Sequence, residues 1–146
     1  VQTRLRKLQE GQYCALVLAA AGLKRLGLED RISRYFTVEE ILPAAGQAIL
    51  AVQARAGTDV APLAGFTDPD STCCALAERA FVRALDGGCT SPVAAYACVT
   101  GDDMEITGLY VSPDETVLRR GTTCGPKEQA EALGRGLALE LKGECP

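Results

Sequence analysis

Cysteine and arginine carry whatever chemistry this sequence has. Its 146 residues include seven cysteines, at positions 14, 73, 74, 89, 98, 124 and 145, and no histidine. Without an imidazole there is no Ser-His or Cys-His pair and none of the His-containing zinc sets. No two cysteines stand at Cys-x-x-Cys spacing, so a thiol-redox domain with a resolving cysteine is disfavoured as well. The count is odd, the spacing irregular, and the first residues lack the apolar core of a secretion signal. That combination reads as reduced thiols in a cytoplasmic protein. Cys14, Cys73, Cys74 and Cys98 lie in apolar or helical context and are expected in or near the core. Cys124 and Cys145 are expected at the surface, without a role.

Cys89 stands apart because of what precedes it. The run from Glu78 to Cys89 reads Glu-Arg-Ala-Phe-Val-Arg-Ala-Leu-Asp-Gly-Gly-Cys. This is the end of an amphipathic helix, two glycines that stop it, and a cysteine on the loop beyond. A helix C-terminus carries partial negative charge, so this position does not favour a thiolate. What the loop supplies is reach. Gly87 and Gly88 let the sulfur stand clear of the helix.

Two further stretches supply cations and small residues. The chain opens with Thr3-Arg4-Leu5 and continues through Leu16-Val17-Leu18-Ala19-Ala20-Ala21-Gly22-Leu23-Lys24-Arg25-Leu26-Gly27. Arginine keeps its charge and grips carboxylates with two parallel hydrogen bonds. Small residues such as Ala19 and Gly22 let a backbone approach a flat ligand closely. The third stretch is Leu42-Pro43-Ala44-Ala45-Gly46-Gln47.

Together and in this order, these stretches resemble hydroxymethylbilane synthase, the porphobilinogen deaminase family. The cysteine loop, continued by Thr90-Ser91-Pro92-Val93, is similar to the family's cofactor-attachment loop. The opening run is similar to its Thr-Arg-Leu helix and Ala-Gly-Leu-x-Arg-Leu-Gly turn, and the third stretch to its Pro-Ala-x-Gly-Gln hinge. The likeness spans nearly the whole chain. It implies a transferase of tetrapyrrole (haem) biosynthesis, in which porphobilinogen loses ammonia to give an electrophilic azafulvene. Four porphobilinogen molecules are joined into hydroxymethylbilane on a dipyrromethane primer. The resemblance makes Cys89 the covalent attachment point of dipyrromethane. It makes Arg4 and Arg25 partners of cofactor and substrate carboxylates, with Ala19 and Gly22 beside them. Porphobilinogen and the growing tetrapyrrole are the implied ligands.

The same resemblance implies a chain about twice this long. The start at Val1, inside a recognisable motif, reads as the C-terminal half of a larger protein, with the family's catalytic aspartate in the missing half. No catalytic acid is assigned here. The isolated chain is expected to be inactive and to need the missing half or self-association. The sequence departs from the family at Cys14, where an aspartate is expected, at Ala48 in place of a glycine, and at Gln53 in place of an acidic residue. The alternative reading is a non-catalytic α+β binding or assembly module that retained the cysteine loop.

The elements that must position these residues follow from periodicity and punctuation. Leu5 and Leu8 among basic residues fit a short helix stopped by Gly11. Cys14 to Ala19, apolar throughout, predicts a buried parallel strand. Ala21 to Leu26 predicts a helical turn closed by Gly27. Thr37-Val38-Glu39-Glu40 predicts a capping box before a helix ended by Pro43. Ile49 to Gln53 predicts another strand, and residues 56–69 a linker. From Asp68 or Asp70 a helix is expected to run to Asp86 with Ala77, Ala80, Phe81, Ala84 and Leu85 on one face. Three hairpin-linked strands follow, at 93–99, 104–112 and 116–122. A last helix from Pro126 to Lys142 turns Leu133, Leu137 and Leu141 inward.

The expected fold is therefore an α+β C-terminal domain, a three-stranded antiparallel sheet with helices, preceded by a partial α/β domain. The divisions are 1–47 for the partial α/β domain, 48–69 for a crossover strand and linker, and 70–146 for the cofactor-attachment domain. Net charge is −4, made of +2 over residues 1–60 and −6 over 61–146. An acidic chain with no basic stripe argues against a nucleic-acid partner. No apolar run approaches the ~18 residues of a membrane span.

Overall fold

A computed structural model of the chain describes residues 1–86 and 92–144. Two compact units are present, Val1–Thr37 and Val38–Pro146.

In the first unit, α1 (Gln2–Gln9) ends at Gly11, whose φ of +76° is the left-handed conformation that closes helices. The amides of Gly11 and Gln12 return to the carbonyls of Leu8 and Lys7. α2 (Ala20–Arg25) closes in the same way at Gly27, with Leu28 N–H donating to Leu23 O at 2.9 Å. Leu23 is the buried residue of α2. The Lys24 ammonium reaches Glu29 at 3.1 Å and lies 5.3 Å from the Tyr35 ring, while Tyr35 donates to Glu29 at 2.9 Å. These contacts tie the 29–35 segment back to α2.

The expected strand from Cys14 to Ala19 does not form. The segment has no regular secondary structure, and Val17 is 67 % exposed. A strand needs a neighbour for its N–H and C=O groups, and no described residue supplies one. Cys14 is accordingly exposed rather than in the core. The capping-box helix before Pro43 is also absent, residues 38–40 forming only a turn. Ile49 to Gln53 is not a strand either, and Leu50 and Val52 stand in solvent. Both short apolar runs lack a local partner that would fix their geometry.

The second unit holds the core. α3 (Pro69–Ala84) starts at Asp68, whose carboxylate accepts the Ser71 amide at 2.9 Å. Asp68 rather than Asp70 is the cap, and Pro69 takes the first helical position, where its missing N–H costs nothing. β1 (Ala94–Thr100), β2 (Asp103–Val111) and β3 (Leu118–Pro126) form an antiparallel meander in the order β1-β2-β3. A two-residue turn joins β1 to β2, with Gly101 at φ +66° and Thr100 opposite Asp103. Between β2 and β3, Asp114 accepts hydrogen bonds from Ser112 and Thr116 and fixes the longer turn.

The third strand runs further than expected, to Pro126, and the last helix begins later. A 3₁₀ turn at Lys127–Gln129 leads into α4 (Ala130–Lys142). Pairing with β2 from Asp103 to Val111 holds residues 118–126 extended, so Pro126 ends a strand instead of opening a helix.

α3 and α4 cover one face of the sheet. Ala95, Ala97, Met104 and Ile106 from the strands meet Ala77 and Phe81 of α3 and Leu137, Ala138 and Leu141 of α4. Two glycines make this packing possible. A side chain at Gly108 would enter the Phe81 ring, and one at Gly134 would enter the Ala77 backbone. The helices thus approach closely, and the large aromatic ring packs against the middle strand at Gly108. Leu133 packs against the core from its edge.

Candidate functional site

α3 (Pro69–Ala84) precedes the run that carries Cys89. Its core side is anchored by Ala77 and Phe81, and it ends at Leu85 and at Asp86, which takes φ +53°. Cys89, with the rest of residues 87–91, lies outside the described residues, as does Cys145.

The predicted cations belong to the first unit. Arg4 is on α1 and Arg25 is the last residue of α2, and both side chains are exposed. Among the described residues neither makes an ion pair or a side-chain hydrogen bond. Each is therefore available to an external carboxylate. Ala19 is the N-cap of α2, with extended φ and ψ of −67° and 119°, and Gly22 lies one turn inside the helix. A methyl group at Gly22 would come within 3.6 Å of Val1, an ordinary contact, so the residue leaves space there without being required by the fold.

One residue that acts on the candidate hinge was not singled out from the sequence. Glu78 lies on the core side of α3 and is 4 % exposed. Its carboxylate accepts two backbone amides, Gly46 N–H at 2.6 Å and Ala97 N–H at 2.9 Å. The first belongs to the Leu42–Gln47 stretch and the second to β1, so one side chain ties that stretch to the edge of the sheet. Burial raises the Glu78 pKa above its ordinary value even though both amides favour the ionised form. The available signal was position: an acidic residue between Ala77 and Phe81, where the helical period calls for an apolar one.

The same stretch explains one departure from the family pattern. Gly46 has φ +76° and Ala48 has φ +70°. Glycine takes the second conformation freely, whereas alanine crowds its Cβ against the following carbonyl, at a cost of roughly 1–2 kcal/mol. The residue expected at 48 was glycine, and the backbone retains the shape that glycine suits.

The remaining thiols divide as burial dictates. Cys73, Cys74 and Cys98 are half-buried and Cys124 is exposed. Burial, then the nearby Glu78 charge, pushes the Cys74 thiol up to about 11. That thiol stays protonated at neutral pH and is a packing residue. No helix among the described residues is long and apolar enough to cross a membrane.

Two family models match the chain in succession. Residues 1–61 match the dipyromethane cofactor binding domain of porphobilinogen deaminase, and residues 72–143 match the C-terminal domain of porphobilinogen deaminase. The porphobilinogen deaminase of Alkaliphilus oremlandii is 52 % identical over 144 residues, which is 99 % of this chain and 48 % of the relative. That of Acetivibrio thermocellus is 52 % identical over 144 residues, 98 % of this chain and 49 % of the relative. That of Chromobacterium violaceum is 44 % identical over 143 residues, 97 % and 46 % respectively. The chain spans about half the length of the curated relatives it matches.

Proposed function

The chain belongs to the porphobilinogen deaminase family, and we propose that it contributes the cofactor-bearing cysteine and part of the carboxylate-binding surface to the synthesis of hydroxymethylbilane from four porphobilinogen molecules. What supports the reading most is the pair of family domains matched in order across 1–61 and 72–143, with Cys89 inside the second. A dipyrromethane bound through a thioether would supply the free pyrrole carbon on which the chain of rings grows.

The roles of this chain's own residues follow from their chemistry. Cys89 would hold the primer through its sulfur. Arg4 and Arg25 would pair with acetate and propionate groups, since neither is engaged within the described structure. Ala19 and Gly22 would let the α2 end approach the rings. Glu78 would hold the 42–47 stretch against the sheet edge. The proposed division is 1–47, 48–69 and 70–146, and the proposed compartment is the cytoplasm. The proposed partner is a complementary first half carrying the catalytic carboxylate.

Intact mass tests the attachment. The chain is co-expressed with the first half of a close relative, with Cys89 present or changed to serine. The expected result is a fixed dipyrromethane increment on the cysteine form and none on Cys89→Ser. A bare mass for the cysteine form, in a pair that makes tetrapyrrole, would overturn the assignment. The isolated chain given porphobilinogen is expected to release no ammonia above background. Loss of ammonia builds positive charge on the pyrrole, and stabilising such charge is a large catalytic contribution that needs a placed carboxylate.

A further inference from the structure

The helices leave the other face of the sheet open. Gly121 meets Leu141 of α4, so its neighbour Arg120 points to the opposite face. There the Arg120 guanidinium donates to two successive carbonyls, Glu39 O at 2.7 Å and Val38 O at 3.3 Å. A planar fork suits such a pair better than the single ammonium of lysine. Further along the same segment, Gly46 N–H donates to Glu78, whose other oxygen accepts Ala97 N–H. Arg120 belongs to β3 and Ala97 to β1, and these are the two edges of the sheet. Residues 38–46 therefore cross the outer face from one edge to the other. The run from Glu39 to Gly46 can reach roughly 24 Å, and two interstrand steps need only about 10 Å, so the chain crosses without being drawn taut.

Burial follows the same line. Arg120, Leu109 and Ala94 form one row across the three strands. Ala94 is 8 % exposed, and Leu109 and Tyr96 are half-buried. Glu105, Thr122 and Cys124, at the far end of that face, are exposed. Burial raises the Tyr96 pKa, and the Cys98 and Cys74 thiols and then the Glu78 and Glu39 carboxylates add to it. Glu78 holds one end of the 38–46 segment and Glu39 lies at the other, so Tyr96 stands between the two ends. Ala45, beside the Glu78 end, packs against the core.

We propose that Arg120 is a positioning residue, which with Glu78 clamps residues 38–46 across the sheet as a strap and so fixes where the chain enters the unit that carries Cys89. The chain leaves the unit of Arg4 and Arg25 at Thr37, and Arg120 grips the next two residues. Most of the Leu42–Gln47 stretch lies within the strap. The catalytic consequence rests on the family reading above. On that reading Arg4 and Arg25 meet ligand carboxylates and Cys89 holds the primer, and within this chain the covalent path from the two arginines to the cysteine runs through the strap. Arg120 touches no ligand, so its loss acts on alignment rather than affinity. A misplacement of about 1 Å far from the chemistry can cost on the order of 10²-fold in rate.

The test compares Arg120→Gln with Arg119→Gln. Arg119 is the neighbouring residue and also donates to a backbone carbonyl, Leu141 O at 2.9 Å, but on the helix side of the sheet. Its loss is structural and leaves the strap alone. In the full chain, Arg120→Gln should speed exchange of the Gly46 amide, and cleavage by a Glu-specific protease at Glu39 and Glu40, at least about tenfold, because two hydrogen bonds to a charged donor are lost. Arg119→Gln should leave both rates within about twofold. Co-expressed with the first half of a close relative, Arg120→Gln should still take up dipyrromethane at Cys89, lower kcat about tenfold or more, and keep KM for porphobilinogen within about twofold. Arg119→Gln should keep kcat, and Arg120→Lys should recover part of what Arg120→Gln loses. Unchanged exchange and cleavage in Arg120→Gln would overturn the clamp. Equal kcat losses in the two glutamine variants, or a rise in KM alone, would overturn the positioning role. A parent pair that makes no tetrapyrrole would remove the family reading and the catalytic consequence with it, while exchange and cleavage still decide the clamp.

Discussion

Glu78→Gln isolates a single buried carboxylate and asks what it holds. In the folded chain it accepts Gly46 N–H at 2.6 Å and Ala97 N–H at 2.9 Å. Glutamine keeps the volume but presents one oxygen and one NH₂. The oxygen can accept one of the two amides, and the NH₂ then faces the other, donor against donor. A buried amide without an acceptor costs ~1–3 kcal/mol, and the remaining bond loses its charge assistance. Relief from burying a charge offsets part of this, and a net loss of about 2 kcal/mol is expected. For a unit of this size that lowers Tm by roughly 10 °C. The pH dependence adds a second signature. Burial holds the Glu78 pKa above its ordinary 4.5, so the folded protein binds the proton more tightly than the unfolded chain. Its contribution is therefore greatest below 4.5, falls as pH rises through the folded pKa, and is level above it. Glu78→Gln should lack that slope. Urea melts of both proteins across this range, with hydrogen exchange at Gly46 and Ala97, make the check. A difference within about 0.5 kcal/mol, the range of an ordinary surface change, or unaltered protection of the two amides, would refute the reasoning.

Other outcomes follow from packing and backbone shape. Gly134→Ala drives a methyl group into the Ala77 backbone and should cost ~1–3 kcal/mol or more in urea melts, with α3 and α4 losing protection together. Ala48→Gly should stabilise the chain by roughly 1 kcal/mol by relieving the φ of +70°, and an unchanged or lower melting point would contradict that. The Cys74 thiol, pushed up to about 11, should alkylate with iodoacetamide at pH 8 after the exposed Cys14 and Cys124, as read by peptide mass mapping.

The parts of the fold legible in the sequence are those that carry their own punctuation. α3 has Asp68 and Pro69 at its start and an apolar stripe at helical spacing. The first hairpin has Gly101 at a position where the backbone takes positive φ. α4 has Leu137 and Leu141 turned to the sheet, and Gly143 ends it at φ +84°. In each case the local signal and the tertiary partner sit within the same 80 or so residues, near the size at which a domain folds alone. The segments misread at Cys14–Ala19 and Ile49–Gln53 have apolar composition without such punctuation, and at 37–42 the capping box and Pro43 enclose too few residues to propagate a helix. Whether an apolar run becomes a strand depends on a neighbour elsewhere, and composition does not supply the neighbour.

The candidate site divides along the same line. Cys89, Arg4 and Arg25 stand in runs long enough to resemble a family, so their types and order were readable without coordinates. Glu78 stands in one of those runs too and Arg120 in none, yet the partners of neither were readable. Glu78 meets amides 32 residues before it and 19 after it. Arg120 meets carbonyls 81 and 82 residues before it. Helical periodicity places Glu78 toward the core and strand alternation places Arg120 on one face of the sheet, but neither says what that face meets. The chemistry each residue can do is thus set by its type, and the chemistry it does is set by segments far along the chain. For this reason the clamped strap emerges from the structure, while the cysteine loop was recognisable from the sequence.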